Sequence, residues 1–329
     1  MDARDRQLLD LLQESVPLVP RPFAALGREL ELTEDEVLSR TRRLKEAGII
    51  RQIGPIFSSR RLGYQSTLVA FHVGPERLEQ VAALISAHPG VSHNYSRNHF
   101  YNLWFTLTLP PHQSVEDEIA RLAEEGGIDD YLNLPSLRLF KLGVHFDMSD
   151  KRTRPKRETS IREAEPLASL TDFERDTVRV LQGHMPLVSR PFEDAATKLG
   201  VTTEELLSVT RDLDQRGVLR RFSAVLKHRN AGFTANGMAC WVVPEGRIAE
   251  AGAAAATFSS VSHCYQRPAY PPRWPYNLFT MVHGRTRDQV EDIVERIHQE
   301  IGPVEHTILY SQREFKKERV QYFVHSSRP

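Results

Sequence analysis

The chain repeats itself. Val91-Ser92-His93-Asn94-Tyr95-Ser96-Arg97 returns as Val261-Ser262-His263-Cys264-Tyr265-Gln266-Arg267, and the repetition reaches well beyond this segment. Val16-Pro17-Leu18-Val19-Pro20-Arg21-Pro22-Phe23 is matched by Met185-Pro186-Leu187-Val188-Ser189-Arg190-Pro191-Phe192, and Gly48-Ile49-Ile50-Arg51 by Gly217-Val218-Leu219-Arg220. Gly63-Tyr64 pairs with Gly232-Phe233, and Tyr101-Asn102-Leu103 with Tyr276-Asn277-Leu278, after an insertion around Pro268-Ala269-Tyr270-Pro271-Pro272 in the second copy. A period this long means two globular units of one fold in tandem, not a solenoid. At 329 residues, each copy has enough chain to bury its own core.

Composition narrows the classes. Lys plus Arg (43) balances Asp plus Glu (43), so there is no global positive field of the kind that draws a chain to nucleic acid. Cys240 and Cys264 stand far apart and outside any C-x-x-C spacing, which fits a reducing compartment and gives neither a disulfide framework nor a thiolate metal site. The charged N-terminus has no apolar signal core, and no run approaches the roughly 20 apolar residues of a membrane span. The expectation is a cytoplasmic protein with no membrane partner.

Each copy reads as two parts, an α+β fold. In the first, Asp5 to Gln13 has helical periodicity, Pro22 suits the opening of a second helix, and Thr33-x-x-Glu36 is a capping box for a third that stops at Gly48. Extended stretches at Ile49 to Ile53 and Ile56 to Leu62 complete an expected winged helix-turn-helix. The second copy repeats the pattern with Thr202-x-x-Glu205 and Gly217. The rest of each copy alternates strand and helix in a β-α-β-β-α-β order, the ferredoxin-like arrangement. Its strands are expected at Ser66 to Val73, Val91 to Asn98, Asn102 to Leu109 and Ser136 to Phe146, with helices at Glu76 to His88 and Val115 to Glu125. The counterparts are strands Ala235 to Val243, Ser260 to Gln266, Tyr276 to Val282 and His306 to Phe315, with helices Arg247 to Phe258 and Arg287 to Glu300. The expected domains are 1–63 and 170–232 (winged helix-turn-helix) and 64–147 and 233–329 (ferredoxin-like). Residues 148–169, nearly all polar, form a linker whose basic cluster Lys151 to Arg157 reads as solvated.

The repeated heptapeptide falls on the second strand of each sheet. Side chains alternate along a strand, so His93, Tyr95 and Arg97 share one face, as do His263, Tyr265 and Arg267. A structural strand would be expected to show Val, Ile or Phe there. A proton carrier, a phenol and a fixed cation in the same order twice read instead as a functional face.

A helix-turn-helix followed by a ferredoxin-like domain resembles the Lrp/AsnC regulators over nearly the whole chain, twice. The PLVxRPF segments, the HNYxR and HCYxR strands and His99-Phe100-Tyr101-Asn102-Leu103-Trp104 are similar to the siroheme decarboxylase family, as a fusion of its two related subunits. The first half resembles the D-type subunit and the second, with Arg313-Glu314-Phe315-Lys316-Lys317, the L-type. The resemblance implies non-oxidative removal of two acetate carboxylates from siroheme, giving 12,18-didecarboxysiroheme on the route to heme d1 or in an alternative heme route. It implies no organic cofactor, the iron tetrapyrrole being the substrate. Two fused units packing sheet to sheet would form an internal pseudo-dimer, open to further self-association.

The residues suit that chemistry. Loss of carbon dioxide from a pyrrole acetate leaves electron density on the methylene, so a proton donor is needed beside it, and histidine titrates in the right range. His93, His99 and His263 are the candidates; His99 has Trp274 opposite it in the other copy, so the halves differ chemically. An imidazole nitrogen can also ligate the substrate iron, and the sequence leaves open which histidine does which. Arg97 and Arg267, with Arg51, Arg220 and Arg221 after each helix-turn-helix, are candidates for gripping the carboxylate rim, and Tyr95 and Tyr265 for an aromatic wall with a hydroxyl. Arg21 and Arg190 serve equally well as braces, Trp104 and Trp274 as core, and His228 as a substrate contact or a surface residue.

Two rival functions use the same architecture. An operator-binding regulator would read DNA with the helix from Thr33, but Arg40, Arg42, Arg43 and Lys45 are matched there by Glu34, Asp35, Glu36 and Glu46, and the second copy's helix is net acidic. Nucleic acid is therefore not the expected partner. A tetrapyrrole sensor would need the same histidines and arginines, and differs only in returning its ligand intact.

Overall fold

The computed structural model describes residues 1–142, 167–226 and 235–324. Nearly all of the linker, its basic cluster, the Gly232-Phe233 repeat and His228 lie outside the described residues.

Each unit opens with three helices: α1 (Ala3–Glu14), α2 (Pro22–Leu30) and α3 (Glu34–Glu46), then α6 (Asp172–Leu181), α7 (Glu193–Leu199) and α8 (Thr203–Gln215). Both expected capping boxes are formed, with Thr33 and Thr202 accepting from the backbone N–H three residues on while Glu36 and Glu205 reach back. Gly48 and Gly217 stop α3 and α8 at φ 69° and 70°, the left-handed conformation that glycine adopts without a Cβ clash. Among the described residues, the expected two-stranded wing within each unit is not there. Ile56 to Leu62 is not a strand of its own. One strand, β1 (Ile50–Phe57), pairs antiparallel with its counterpart β7 (Leu219–Leu226), so the units share a single ribbon. Val16 N–H donates to Phe222 O, and Met185 N–H to Ile53 O, the same bond in both directions. Leu8, Phe23 and Leu26 from one unit and Val178, Phe192 and Leu206 from the other consequently belong to one core.

The sheet domains are also joined. The first holds β2 (Gln65–Phe71), α4 (Leu78–Ala87), β3 (Val91–Arg97), β4 (Leu103–Leu109), α5 (Val115–Gly126), β5 (Tyr131–Pro135) and β6 (Arg138–Leu142). The second holds β8 (Ala235–Trp241), α9 (Ile248–Thr257), β9 (Val261–Gln266), β10 (Leu278–Gly284), α10 (Arg287–Ile301) and β11 (His306–Lys317). The strand order is β5-β2-β4-β3-β11-β8-β10-β9-β6. Each unit thus keeps the ferredoxin-like order, while its last strand runs on into the other unit. β11 pairs with β8 through His306 to Tyr310 and with β3 through Ser311 to Lys317. In the first unit the corresponding strand is broken in two: β5, not expected from the sequence, pairs at home with β2, and β6 crosses to β9. Only Ser136 and Leu137 separate β5 from β6, so the curled sheet closes into a ring.

Period-2 alternation sorts the side chains of that ring. Val69, Phe71, Leu103 and Phe105 face α4 and α5, and Ala239, Trp241, Leu278 and Val282 face α9 and α10. Ala70, Trp104, Leu134, Met238, Cys240, Trp274, Phe279 and Leu309 fill the inside, contributed by both units. Trp104 and Trp274 are therefore core, fully buried with ring centroids 5.3 Å apart. At Gly252 on α9 an added Cβ would sit 2.4 Å from the Phe140 ring of the crossing strand β6, so this approach requires glycine.

Candidate functional site

The repeated motifs face the inside of the ring. Tyr95 stands opposite Trp104 on β4, an inner residue, and Asn94 points the other way, donating to Ala82 O of α4 at 3.0 Å. On the inner face His93 and Tyr95 lie with ring centroids 6.2 Å apart, and Arg97 sits over the Tyr95 ring at 5.8 Å. The second copy reproduces this: His263 and Tyr265 at 6.2 Å, Arg267 over Tyr265 at 4.8 Å. The expected shared face exists in both. A register shift places a bulge at Ser92 and Ser262, which turns each serine hydroxyl onto the next residue, His93 Nδ1 at 3.0 Å and His263 Nδ1 at 2.6 Å.

His93 feels the histidine of the other motif. Burial pulls the His93 imidazole down to about 4, helped by the positive charges of Lys317 and Arg51 and by His263. His93 is thus neutral at pH 7 in the free protein. Tyr95 and Tyr265 are pushed up by burial, so both keep their hydroxyl proton.

Arg97 and Arg267 sit deeper than expected for residues that grip carboxylates. Arg97 is 6 % exposed and donates to Leu309 O at 3.1 Å, and Arg267 donates to Leu134 O, its equivalent in the other unit. Burial draws both guanidinium groups down to about 10, and the Nε of each has no hydrogen-bond partner among the described residues. Each arginine ties its own motif strand to the other unit's last strand.

A second layer of cations comes from the ribbon. Arg51 on β1 donates to Lys317 O, and its charge reaches His93 and Tyr95. Arg220 on β7 reaches Tyr265 in the same way and lies 3.4 Å from Ser58 Oγ. Arg221 is half-buried, and desolvation holds its guanidinium below its ordinary value. Arg319, which sequence reasoning passed over because it lies beyond the repeat, joins them: it donates to Pro55 O at 2.8 Å and is drawn down to about 10 by burial and by Arg51 and Arg221. His184, before the second PLVxRPF segment, is lowered by burial and by Lys45, Arg319 and Arg51. Among the described residues, Arg51, Arg220, Arg221 and Arg319 have no ion pair to a carboxylate, an arrangement that suits an anion.

The remaining candidates fall elsewhere. His99 lies in the turn beyond the far end of β3, its Nδ1 accepting from Tyr101 N–H at 3.2 Å and its ring edge-on to Trp274 at 5.3 Å. The structure does not bring it to His93 and His263. Arg21 and Arg190 are exposed and ion-paired to Glu34 and Glu193. The arginines of the helix expected to read DNA are engaged within the chain: Arg40 and Arg43 on Asp5, and Arg42 on Leu187 O at 2.7 Å, mirrored by Arg211 on Leu18 O at 3.0 Å. No helix among the described residues is long and apolar enough to cross a membrane.

Known proteins share this organisation. The AsnC-like ligand binding domain matches residues 61–141 and 230–316, and the siroheme decarboxylase NirDL-like HTH domain matches 5–51 and 174–220. A siroheme decarboxylase of Hydrogenobacter thermophilus is 44% identical over 318 residues, covering 96% of this chain and 94% of that protein. The siroheme decarboxylase NirDL subunit of Paracoccus denitrificans is 34% identical, covering 96% of each chain. The crystal structure of the siroheme decarboxylase NirDL in complex with an iron-uroporphyrin III analogue superposes with a TM-score of 0.77 at 40% identity, over 98% of this chain and 95% of that one. With two ferredoxin-like domains, two helix-turn-helix domains and this similarity from end to end, the chain belongs to the siroheme decarboxylase family, as a member carrying both homologous units on one polypeptide.

Proposed function

We infer that the chain removes two acetate carboxylates from siroheme without oxidation, releasing carbon dioxide and leaving didecarboxysiroheme. The observation that carries the site assignment is the facing pair of His-Tyr-Arg strands beneath arginines that have no carboxylate partner among the described residues. Siroheme brings a rim of carboxylates, and Arg51, Arg220, Arg221 and Arg319 are the groups to receive them, with charge-assisted hydrogen bonds that fix the macrocycle's orientation. Tyr95 and Tyr265 supply flat apolar faces with a hydroxyl at the rim. Arg97 and Arg267 act from below, holding the motif strands in place.

Decarboxylation breaks the bond between the methylene carbon and the carboxylate, and the electron pair stays on the carbon until a proton arrives. In this reading His93 delivers that proton. The free protein holds His93 neutral because burial disfavours its charged form and Lys317 and Arg51 crowd it with positive charge. Substrate carboxylates offset those charges, so His93 gains a proton as siroheme binds and is armed only when occupied. The reaction needs no cofactor beyond the iron the substrate carries, and the internal pair of units takes the place of a dimer.

The test is anaerobic incubation of the purified chain with siroheme, following product mass. Stepwise loss of two carboxyl groups is expected; tight binding with unchanged mass would make the protein a tetrapyrrole sensor. Calorimetry in buffers of different ionisation enthalpy is expected to show net proton uptake on binding.

A further inference from the structure

Among the described residues, the second unit contains a hydrogen-bond chain through the buried Ser262 and His283 that has no equivalent in the first. Ser262 Oγ lies 2.6 Å from His263 Nδ1 and 2.6 Å from His283 Nε2, and His283 Nδ1 lies 2.6 Å from Asn236 Oδ1. Asn236 and His283 face each other across β8 and β10. At the matching place across β2 and β4 the first unit has Ser66 and Thr108, whose hydroxyls bond each other at 2.9 Å. Behind Ser92 and His93 there stands a threonine, not a second imidazole.

With Asn236 presenting its amide oxygen to His283, the proton positions along the chain follow from its far end. Asn236 Oδ1 can only accept, so His283 carries its proton on Nδ1 and turns a lone pair at Nε2 towards Ser262. The Ser262 hydroxyl donates there; its other acceptor, the Met281 carbonyl, is at 3.5 Å. With that proton committed, Ser262 Oγ accepts from His263 Nδ1–H, and the lone pair of the His263 ring falls on Nε2. We propose that His283 is a positioning residue that acts through Ser262 to hold His263 in its Nδ1–H form, so that the second unit offers the substrate a basic nitrogen where the first offers a proton donor. The two motifs, alike in sequence, are thereby given opposite roles: His263 presents a lone pair that can ligate the substrate iron, and His93 donates a proton. The assignment of those roles rests on the reading that siroheme occupies the inner face; the tautomer itself does not.

The experiment is nitrogen NMR of the full chain labelled at the histidine rings, without siroheme and above neutral pH, with His263→Gln to assign the resonances. His263 is expected to be protonated predominantly at Nδ1. Ser262→Ala and His283→Leu should each convert it to predominantly Nε2–H while leaving the His93 signals in place, and Ser262→Thr, which keeps the hydroxyl, should retain the Nδ1–H form. Protonation at Nε2 in the unsubstituted chain, or an Nδ1–H form that survives both Ser262→Ala and His283→Leu, would overturn the proposal. If His283→Leu fails to fold, Ser262→Ala decides alone. A chain that shows the tautomer yet leaves siroheme unchanged would sink the decarboxylase reading and uphold the relay.

Discussion

The two motif strands are near copies, yet the strands laid beside them are not. β11 sets Glu314 against Tyr95 and Lys317 against His93, whereas β6 sets Leu139 against Tyr265 and Leu142 against His263. On the strand beside it, one histidine is set against a lysine and the other against a leucine, with Ser262 and His283 next to the second. Other features of the crossing strands match in pairs: Lys141 donates to Phe258 O and Lys316 to His88 O, and Arg138 and Arg313 cover Phe140 and Phe315. The duplication therefore preserved the parts that join the units and changed those that surround the imidazoles. A site can specialise by altering what lies next to a repeated motif, leaving the motif itself alone.

The sharpest way to break this comparison is to remove each imidazole. His93→Ala is expected to lower decarboxylation by about 10²- to 10⁴-fold, the usual contribution of a general acid, with siroheme affinity little changed. His263→Ala should instead weaken binding and alter the visible spectrum of bound siroheme. Equal losses of turnover with no difference in affinity would mean the halves are interchangeable. Next come the cations. Each of Arg51→Ala, Arg220→Ala and Arg319→Ala removes a charge-assisted contact of about 1.5–3 kcal/mol, roughly ten- to a hundredfold in siroheme affinity by equilibrium titration.

A subtler test copies one environment into the other. Replacing Glu314 and Lys317 together by leucine should raise the His93 pKa from about 4, since a neighbouring cation is lost, and an NMR titration would follow it. The same depression sets the sign for stability. A histidine that titrates lower folded than unfolded contributes fully above about pH 6.5 and loses its contribution as pH falls toward 4, so the double variant should resist acid unfolding better than the parent. The smallest effects are expected where the units agree. Thr33→Ala and Thr202→Ala each remove one arm of a capping box and should cost about 1 kcal/mol in urea unfolding, by equal amounts.

Much of this was legible in the sequence because it is local. Capping boxes, helix-stopping glycines and period-2 strands depend on residues a few positions apart. The joints between units were not legible. The extended run Ile50 to Phe57 does not declare whether it folds back on its own chain or pairs with Leu219 to Leu226, and Tyr131 to Pro135 is too short and interrupted to stand out from a loop. The site divides in the same way. Alternation put His93, Tyr95 and Arg97 on one face, as the structure has them, whereas the place of His99 depends on how the chain turns after β3, which no local pattern declares. Arg319 has no repeated partner, and a search guided by repetition passes over it. His283 was missed for a related reason: its importance comes from a neighbouring strand.

The crossing of β6 also governs how the chain comes into being. Leu142 finds its partner His263 only after the ribosome has added ~120 more residues, which at roughly 5–20 residues per second is roughly 6–24 s of waiting. Through that interval the first half has β3 without β11 beside it and β6 without β9, two open strand borders of the kind that attract other chains. A gene that encodes both halves together shortens this exposure to the time of one translation, because the missing partner arrives on the same polypeptide.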